Sequence, residues 1–530
     1  MSRPVSPNTL LPVLTAEAMR AADQFTIETF GLPGLTLMET AGRGAAACIA
    51  TRFGPLRNRR VVIFCGKGNN GGDGLVVARV LFEHGARLDV VTLAEEDEMS
   101  ADAAHNLRLL RRLEANDPAG RLRLFRWREA SDFARFEGAD LYVDALLGTG
   151  QTSAPRPPLD DIVRRLNTLP APRVALDLPT GLHSDTGVVP GEAVRATMTV
   201  TMGALKTGLL LGEGPAYAGH VEVVEIGIPS FVLERVRKAP GCALLVTDEA
   251  VRSRLPVRPH DAHKYSVGLA LVVGGSPDFT GAPVMAAEAA ARVGSGFVVC
   301  ACPASVRPAV AAHLTEVTTL ALPDDADGLT PAGHDVLAER LAKARALLVG
   351  PGLGRRPGTG AFVRTLLQET RLPAVIDADG LFALAGHTEW LARRAGGRWL
   401  LTPHAGEFKR LAGDDADLTD RIRTAQTYAE RWNVVLLLKG APSVVACPDG
   451  TAYVAPTHPA LATAGSGDVL AGLCVGLIAQ GLPPAEAAVA ALHLGRAAAE
   501  HYTARHDARS MVASDLLRVL PSVLHERFSP

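Results

Sequence analysis

Short apolar runs alternate with longer amphipathic segments along most of the chain. In the first half, the runs are rich in β-branched residues and lie at residues 61–65, 88–93, 141–147, 174–178 and 197–202. Their nearly continuous apolar character predicts strands buried on both faces, as in a parallel sheet covered by helices. Between them, Thr36 and Glu39 have the spacing of a helix-capping box. An apolar stripe after Asp73 predicts a helix that stops near Gly85.

The second half shows the same alternation of apolar runs and amphipathic segments, but it does not repeat the sequence of the first half. Its predicted strands lie at residues 268–275, 297–303, 346–352, 374–379, 399–404 and 434–440. A β-hairpin about Asp449 and Gly450 and two alanine-rich helices follow. Residues 229–263 break the pattern with charges and prolines, and predict a linker with a boundary near residue 240. We therefore expect an α/β protein of two domains, residues 1–235 and 236–530.

Composition and charge exclude several classes of protein. The 530 residues carry a formal net charge of −2 and no long basic run, so we expect no nucleic-acid partner. The longest apolar stretch, residues 469–482, is too short to cross a bilayer, and the first residues lack the apolar core of a signal peptide. Seven scattered cysteines without a C-x-x-C pair predict a reducing, cytoplasmic location with no membrane partner.

A glycine-rich loop, CGKGNNGGDGL (65–75), lies between a predicted strand and a predicted helix. Its glycines let backbone amides approach a ligand, and the start of the helix favours an anion. A plain turn would need one glycine only, whereas Asn69, Asn70 and Asp73 add two amides and a carboxylate. The loop therefore favours a binding site over a simple turn.

Two further predicted strands end in polar residues. Asp144 ends one of them, and Asp177 with Thr180 ends another. Since ligands of open parallel sheets bind at the carboxyl ends of strands, these residues and Asn70 predict a site at one edge. The side chains of Asn70, Asp144 and Thr180 offer oxygen ligands, which suit a hard cation better than zinc or copper. Each alone would more often be a cap or turn residue.

These segments resemble the NAD(P)H-hydrate epimerase family over residues 10–230. The resemblance rests on GLPGLTLMETAGRGAA (31–46), GNNGGDG, DALLGTG, DLPTGL, GALKTGLLLGEG (203–214) and EIGIP (225–229). It implies a Rossmann-like α/β/α sandwich, with potassium held by Asn70, Asp144 and Thr180. It implies contacts to a hydrated dinucleotide from Asn69, Asn70, Gly71, Gly72, Asp73, Gly148, Thr149, Gly150, Gln151, Thr152, Ser153, Ala154 and Asp177. The sequence departs from the family at Gln151, where an apolar residue is usual, and at Thr40, where asparagine is common.

The reaction that this resemblance implies is chemically undemanding. Hydration at C6 of the reduced nicotinamide creates a stereocentre beside the ring nitrogen, whose lone pair can expel hydroxide or open the ring. A carboxylate within hydrogen-bond reach would then move the proton. We expect Asp177 to be this acid–base, with Asp144 as the second candidate.

The segment LATAGSGDVLAG (461–472) is the sharpest motif of the second half. A Gly-Ser-Gly turn opens a helix, so the amides of Gly465 to Gly467 form an anion hole for a phosphate. Asp468 lies at the same helix start. It could simply complement the helix dipole, or it could be the base that deprotonates an attacking hydroxyl.

Other strand ends of the second half add candidate residues. Lys439 leaves one strand through a turn of small residues, and His404 with Glu407 follows another. A lone loop histidine is more often structural, so His404 alone decides nothing. Glycine-rich loops at 349–354 and 274–283 end two more strands.

The second half resembles the ribokinase-like superfamily, and within it the ADP-dependent NAD(P)H-hydrate dehydratases, over residues 246–525. The resemblance rests on HKYSVGLALVVGGS (263–276), TEVTTLALP (315–323), LLVGPGLG, IDADGL (376–381), LTPHAGEF, LKGAPSV and ATAGSGDVLAG. It implies a ribokinase-like α/β/α domain that binds ADP through Lys439, Gly440, Ala441, Pro442, Ser443 and Gly467. It implies hydrate contacts from Ala282, Gly352, His404 and Asp468. Departures lie at Tyr265, where glycine is usual, at Phe382, where asparagine is usual, and at His458-Pro459, near a missing Gly-Asn pair.

Together the resemblances imply a bifunctional repair enzyme. It would interconvert the R and S hydrates of NADH and NADPH and dehydrate the S form at the expense of ADP, with Mg²⁺ neutralising charge. Asp468 would be the base, AMP and phosphate the by-products, and the assembly a homo-oligomer. Two alternatives stay open at this stage: a vitamin-precursor kinase in the second half, and a non-catalytic binding module in the first.

Overall fold

The computed structural model describes residues 10–414 and 416–529. Two compact units account for them, one from residue 11 to 243 and one from residue 244 onwards. Both contain parallel β-sheets with helices packed against them. The predicted α/β architecture of two domains is therefore confirmed.

The first unit is built on a parallel sheet in which helices cover both faces. Its strands are β1 (Leu11–Leu14), β2 (Arg60–Cys65), β3 (Arg87–Thr92), β4 (Leu122–Arg126), β5 (Leu141–Ala145), β6 (Arg173–Leu176), β7 (Met198–Met202), β8 (Leu205–Lys206) and β9 (His220–Val224). The sheet order is β4-β3-β2-β5-β6-β7-β9, and β1 pairs with β8 in parallel. Residues along β2 alternate between two hydrophobic clusters, Val61 and Ile63 in one, Val62 and Phe64 in the other.

Short and long helices connect the strands of the first unit. They are α1 (Ala16–Gln24), α2 (Gly34–Phe53), α3 (Asn69–Glu83), α4 (Ala101–Ala115), α5 (Leu159–Thr168), α6 (Gly214–Ala218) and α7 (Ser230–Val236). A π-helical turn at Phe25–Thr29 continues α1, and 3₁₀ turns lie at Glu96–Glu98, Ala130–Phe136 and Thr207–Leu209. Helix α3 starts inside the glycine-rich loop, so the loop residues form its first turn.

The predicted capping box of this unit is wrong. Helix α2 starts at Gly34, after Pro33, so Thr36 already lies inside its first turn. Glu39 instead forms ion pairs with Arg43 and Arg79. Proline at the cap position fixes an extended entry to the helix, and its carbonyl accepts from the amides of Thr36 and Leu37, so no side chain caps this end.

The second unit contains a larger, mostly parallel sheet. Its strands are β10 (Ala243–Leu245), β11 (Leu269–Val273), β12 (Phe297–Pro303), β13 (Thr318–Leu322), β14 (Asp324–Asp325), β15 (Gly328–Leu329), β16 (Ala346–Val349), β17 (Ala374–Ile376), β18 (Trp399–Leu401), β19 (Val435–Leu438), β20 (Ser443–Ala446) and β21 (Ala452–Ala455). The order runs β13-β12-β11-β16-β17-β18-β19-β20-β21-β10. Strand β20 is antiparallel to both neighbours, which confirms the predicted hairpin. Strands β14 and β15 form a separate ribbon.

Thirteen α-helices in the described part of the second unit surround this sheet. They are α8 (Asp248–Arg252), α9 (Lys264–Val267), α10 (Gly281–Arg292), α11 (Arg307–His313), α12 (Gly333–Lys343), α13 (Pro357–Glu369), α14 (Asp379–Leu384), α15 (Leu391–Arg394), α16 (Ala405–Ala412), α17 (Arg421–Trp432), α18 (Ser466–Ala479), α19 (Pro484–Thr503) and α20 (Ala513–Phe528). Short 3₁₀ turns lie at Pro459–Leu461 and Ala508–Ser510. Helix α18 packs closely on α10, because a Cβ at Gly472 would overlap the backbone of Ala286. This contact fixes the helix whose start carries Asp468.

The two units divide between residues 243 and 244, near the predicted boundary at 240, but the segment predicted as a linker is structured. Residues 229–263 contain α7, β10 and α8, and Val232, Leu244 and Val251 within them are buried. No disulfide joins the seven cysteines, all of which lie in the described part of the chain, and five of them are buried. Within the described ranges, no helix combines the length and apolar character needed to span a bilayer.

Two candidate active sites

A cavity of about 880 Å³ opens at the carboxyl ends of β2, β5 and β6 in the first unit. Most residues that the sequence singles out for the hydrate contribute to its wall: Asn69, Asn70, Asp73, Asp177 and the whole segment from Gly148 to Ala154. Gly71 and Gly72 lie behind them in the first turn of α3. A Cβ at Gly71 would overlap the carbonyl of Gly66, so glycine there lets the helix start fold back on the loop.

A hydrogen-bonded cluster joins the ends of β5 and β6 next to this cavity. The Asp144 carboxylate accepts hydrogen bonds from the backbone N and the Oγ1 of Thr180, both at 2.8 Å. The Nδ2 of Asn70 donates to the Leu147 carbonyl at 2.9 Å, whereas its buried Oδ1 has no partner among the described residues. The structure thus brings Asn70, Asp144 and Thr180 together.

Asp144 is less acidic than an ordinary aspartate because it is buried. Burial raises the pKa of this carboxyl to about 6, although the hydrogen bonds from Thr180 oppose the shift. Asp144 does not contribute to the cavity wall. This position argues against Asp144 as the group that moves a proton on a ligand in the cavity.

Asp177 is held in place by a lysine that sequence reasoning missed. The Nζ of Lys206 lies 2.5 Å from the Oδ1 of Asp177, and the amide of Thr149 donates to Oδ2 at 3.2 Å. Lys206 is only 1 % exposed, and it also donates to the Met202 carbonyl at 2.6 Å. A lysine inside the otherwise apolar run at residues 204–211 was the signal, because a buried lysine needs a charged or carbonyl partner.

Gln151, which departs from the family pattern, has a clear structural role. Its Nε2 donates to the Pro179 carbonyl at 3.2 Å, and its Oε1 accepts from the Gly181 amide at 2.6 Å. The side chain therefore ties the loop after β5 to the loop after β6. The other departure, Thr40, bonds back to the Thr36 carbonyl within α2 and lies outside the cavity wall.

Two more carboxyl groups on the cavity differ from ordinary aspartates. Burial raises the pKa of Asp23 to about 6; the charge of Lys206 opposes this shift and that of Asp177 adds to it. Burial also raises the pKa of Asp73 well above its usual value, and Asp177 adds to that rise. Sequence reasoning missed Asp23, because it lies on α1, far along the chain from the glycine-rich loops.

The second cluster lies at the carboxyl ends of β17, β18 and β19. The Nζ of Lys439 is 2.8 Å from the Oδ1 of Asp377 and 3.8 Å from the Oε2 of Glu407. A Cβ built on Gly467 would lie 3.6 Å from that Nζ. The first turn of α18 therefore faces the Lys439–Asp377 pair. Gly465 precedes this turn with a φ of +85°, a conformation that favours glycine.

Asp468 lies in the same first turn and has an unusual acidity. Burial raises the pKa of its carboxyl to about 7; the charge of Asp377 adds to this and that of Lys439 opposes it. For Lys439, burial lowers the pKa, but Asp377, Glu407 and Asp468 outweigh it and the net shift is upward. Of these groups, Asp377 was missed by sequence reasoning, although it ends a predicted strand.

His404, which is predicted to contact the hydrate, has a structural function. Its Nδ1 accepts from the amide of Gly406 at 3.0 Å, and Glu407 accepts from the His404 amide at 2.9 Å, so the two side chains cap α16 reciprocally. The imidazole remains 60 % exposed, and its Nε2 lies 3.5 Å from the Oε1 of Glu407.

The remaining predicted contacts form two groups. Ala282 and Gly352 are adjacent, because a Cβ on Gly352 would lie 3.1 Å from the Cβ of Ala282. The turn from Lys439 to Ser443 is closed by the Ser443 hydroxyl, which donates to the Gly440 carbonyl at 3.1 Å. Arg421, another residue that the sequence did not single out, donates to the Lys439 carbonyl at 2.9 Å.

The three departures of the second half lie at exposed or capping positions. Tyr265 packs edge-on against Phe297. Phe382 lies beneath the guanidinium groups of Arg355 and Arg410. His458 accepts a hydrogen bond from the amide of Ala460 at the start of a 3₁₀ turn.

Comparison with known proteins covers both units. A family model described as YjeF-related protein N-terminus matches residues 34–208, and one described as NAD(P)H-hydrate dehydratase matches residues 270–522. The chain is 59% identical over 527 residues to the bifunctional NAD(P)H-hydrate repair enzyme Nnr of Salinibacter ruber, covering 98% of this chain and 97% of that protein. The chain belongs to the family of bifunctional NAD(P)H-hydrate repair enzymes.

Other members of this family match at similar length. The repair enzyme Nnr of Moorella thermoacetica is 42% identical, with 97% of this chain and 96% of that protein covered. Among solved structures, the ADP/ATP-dependent NAD(P)H-hydrate dehydratase from Bacillus subtilis is 33% identical and covers 54% of this chain and 98% of its own, with a TM-score of 0.45. Full-length matches to bifunctional enzymes disfavour both alternatives, the vitamin-precursor kinase and the non-catalytic module.

Proposed function

We propose that the two units carry out successive steps in the repair of hydrated nicotinamide dinucleotides. The first interconverts the R and S hydrates of NADH and NADPH, and the second dehydrates the S hydrate with ADP, giving NAD(P)H, AMP and phosphate. The observation that carries this proposal is the pair of separate polar clusters, each at the carboxyl edge of its own sheet. Asp177 with Lys206 marks the first, and Asp468 with Lys439 marks the second.

In the first unit, the hydrate would lie in the cavity against the loops that follow β2, β5 and β6. The amides of the glycine-rich loop and the segment 148–154 would bind its phosphates and ribose. Lys206 keeps Asp177 oriented and balances its charge. From that position Asp177 can accept or return a proton at the C6 oxygen of the hydrate.

The residues near the cavity also fit a potassium ion. The buried Oδ1 of Asn70 has no partner in the described part of the chain, and the oxygens of Asp144 and Thr180 lie next to the same loop. These are the neutral and anionic oxygen donors that hard cations prefer. Asn70, Asp144 and Thr180 would hold the ion, which when bound supplies a fixed positive charge beside an anionic dinucleotide.

In the second unit, Asp468 would act as the base and the first turn of α18 as the phosphate site. Asp468 takes the proton of the C6 hydroxyl, and that oxygen attacks the terminal phosphoryl group of ADP, so that AMP leaves. The lone pair of the ring nitrogen then expels phosphate, and loss of a C5 proton restores the ring double bond. Lys439, on the turn that would bind ADP, lies close enough to Gly467 to meet the same phosphates.

A magnesium ion fits the charge of this site. Asp377, Glu407 and Asp468 place three carboxylates around Lys439, more negative charge than one lysine balances. Asp377 would hold Mg²⁺, which when bound neutralises charge on the transferred phosphoryl group, and Asp468 stays available as the base.

We also propose a cytoplasmic homo-oligomer. Seven cysteines without a disulfide among the described residues agree with a reducing compartment. The exposed rings of Phe30 and Phe231, which contact each other edge-to-face in the first unit, are apolar surface that assembly would cover.

The proposal is tested with a hydrate preparation that contains both epimers. With ADP present, the chain should restore the ultraviolet absorbance of the full amount of reduced nicotinamide, with AMP formed in equal amount. Without ADP, it should only equilibrate the epimers. Recovery limited to the S fraction would contradict an epimerase in the first unit, and recovery without AMP would contradict phosphoryl transfer in the second.

A further inference from the structure

Asp23 is a carboxyl group on the first cavity that the proposed chemistry does not yet use. It lies on α1 and contributes to the cavity wall. Its Oδ1 is buried and has no hydrogen-bond partner among the residues described. Buried carboxylates that only stabilise a fold are almost always hydrogen-bonded. Asp23 instead combines a place on the wall of a ligand cavity with one buried, unsatisfied oxygen, which makes it a candidate to bond to the ligand.

The surroundings of Asp23 differ from those of Asp177. The charges that act on Asp23 come from Lys206 on β8 and from Asp177 after β6, and Asp73 on α3 is coupled to it as well. Arg20, on the same helix, also contributes to the cavity wall. Lys206 is bonded to Asp177 and not to Asp23. Of the carboxyl groups on the cavity wall, Asp177 is paired with a lysine, whereas Asp23 has no such ion pair.

We propose that Asp23 is the second proton-transfer residue of the epimerisation and works together with Asp177. This inference rests on the proposed epimerase activity of the first unit. The Asp23 carboxyl protonates the C6 hydroxyl as the C6–O bond breaks, and the lone pair of the ring nitrogen forms a C=N bond, so that water leaves. A water molecule then adds to C6 from the other face, and the Asp177 carboxylate takes its proton. One proton has moved from Asp23 to Asp177, and the reverse conversion moves it back.

The acidity of Asp23 agrees with this role. Burial raises its pKa to about 6, with Lys206 opposing and Asp177 adding to the shift. An ordinary aspartate would be almost entirely deprotonated near neutral pH, whereas the Asp23 carboxyl stays protonated in a fraction of the molecules that is large enough for catalysis. Because the exchange needs one proton on the pair, its rate should fall as the pH rises through about 6.

The test is the exchange of purified single hydrate epimers by the full chain carrying Asp23→Asn. Epimer exchange above the rate in buffer should drop by roughly a hundred-fold or more, the usual loss for a positioned acid–base. Asp23→Glu should restore part of the rate, and the residual rate of Asp23→Asn should no longer fall through pH ~6. Glu17→Gln, the same carboxyl-to-amide change at an exposed position of α1, should leave exchange unchanged.

Binding of NADPH, measured by calorimetry, separates chemistry from folding. Asp23→Asn with NADPH affinity within a few-fold of the parent and lost exchange supports the inference. Exchange above about one third of the parent rate would overturn it, as would equal loss of exchange and of NADPH binding in both the Asn and Glu variants. If the parent chain itself does not exchange epimers, the proposed epimerase function fails instead.

Discussion

At the scale of single residues, both sites combine a lysine with one aspartate that it pairs with and one that it does not. Lys206 is bonded to Asp177 and leaves Asp23 unpaired; Lys439 is bonded to Asp377 and leaves Asp468 unpaired. In each case, the aspartate without the direct bond has a pKa raised by burial, to about 6 in Asp23 and about 7 in Asp468. Different partners in this way give the two carboxyl groups of a site different parts in the reaction.

Asp468→Asn should abolish dehydration and leave ADP binding largely intact. Asparagine has nearly the same volume and can still accept a hydrogen bond at the helix start, but it cannot take the proton of the C6 hydroxyl. We expect a rate loss on the order of a hundred- to ten-thousand-fold. In the parent, the base must be deprotonated, so dehydration should rise as the pH increases through about 7. This limb should disappear in the variant.

ADP titration by calorimetry and an absorbance assay on the same preparation check this prediction. If Asp468 only complements the dipole of α18, the variant keeps its turnover and loses about 1 kcal/mol of stability or less. Turnover close to that of the parent would remove Asp468 from the mechanism.

Lys206→Met should destabilise the first unit. Lys206 is 1 % exposed and its partner Asp177 is buried too, so the change leaves a buried carboxylate without its counter-charge. Breaking such a pair typically costs about 3–5 kcal/mol. The exposed Lys238→Met should change stability by less than about 0.5 kcal/mol. Denaturant unfolding, monitored by amide hydrogen exchange in β5–β7, measures the stability of both variants. An equal loss of stability in the two variants would contradict the importance of the ion pair.

At the scale of elements, the loops after the strands are fixed to each other rather than free. Gln151→Leu should release the loop 148–154, because it removes the bonds to the Pro179 carbonyl and the Gly181 amide. Leaving a buried amide unsatisfied costs about 1–3 kcal/mol. Amide hydrogen exchange in residues 148–154 should become roughly ten-fold faster or more, as this free energy implies. Thr152→Val, at an exposed position of the same loop, serves as the control, and unchanged exchange in Gln151→Leu would show that the tie does not hold the loop.

The elements that sequence predicted well share strong local signals. The apolar strands β2, β5 and β12 and the hairpin about Asp449 and Gly450 follow from periodicity and turn residues alone. Strand β4 was missed because its arginines alternate with apolar residues at a sheet edge. Helix α20 was missed because it continues through Pro521, and a proline inside a helix normally kinks or ends it.

The site residues that were predicted also lie in segments with strong local signals, whereas the others do not. The loops near Asn70 and Asp468 were predicted because glycines mark them in the sequence. Lys206, Asp23 and Asp377 contribute through contacts between remote segments, which a single sequence does not reveal. The capping box at Thr36 failed because Pro33 starts the helix earlier.

At the scale of the whole molecule, each unit has its own hydrophobic core and its own polar cluster. The main cluster of the second unit contains α10, α18 and α19, while two other clusters cover the sheet of the first. Domains with separate cores can fold and act independently. A dehydratase limited to one epimer would leave the other unrepaired, so both activities are needed for complete recovery.

If the sites are independent, two variants that each lack one activity should together carry out the complete repair in solution. Asp177→Asn should dehydrate only the S fraction of a mixed hydrate, and Asp468→Asn should equilibrate the epimers without restoring NAD(P)H. Mixed in equal amounts, they should recover the whole substrate at about half the parent rate, because the hydrate diffuses freely between molecules and each activity is present at half concentration. The measurement is the final absorbance of reduced nicotinamide with ADP in excess. Recovery that stops at the S fraction in the mixture would show that the two sites must belong to one chain.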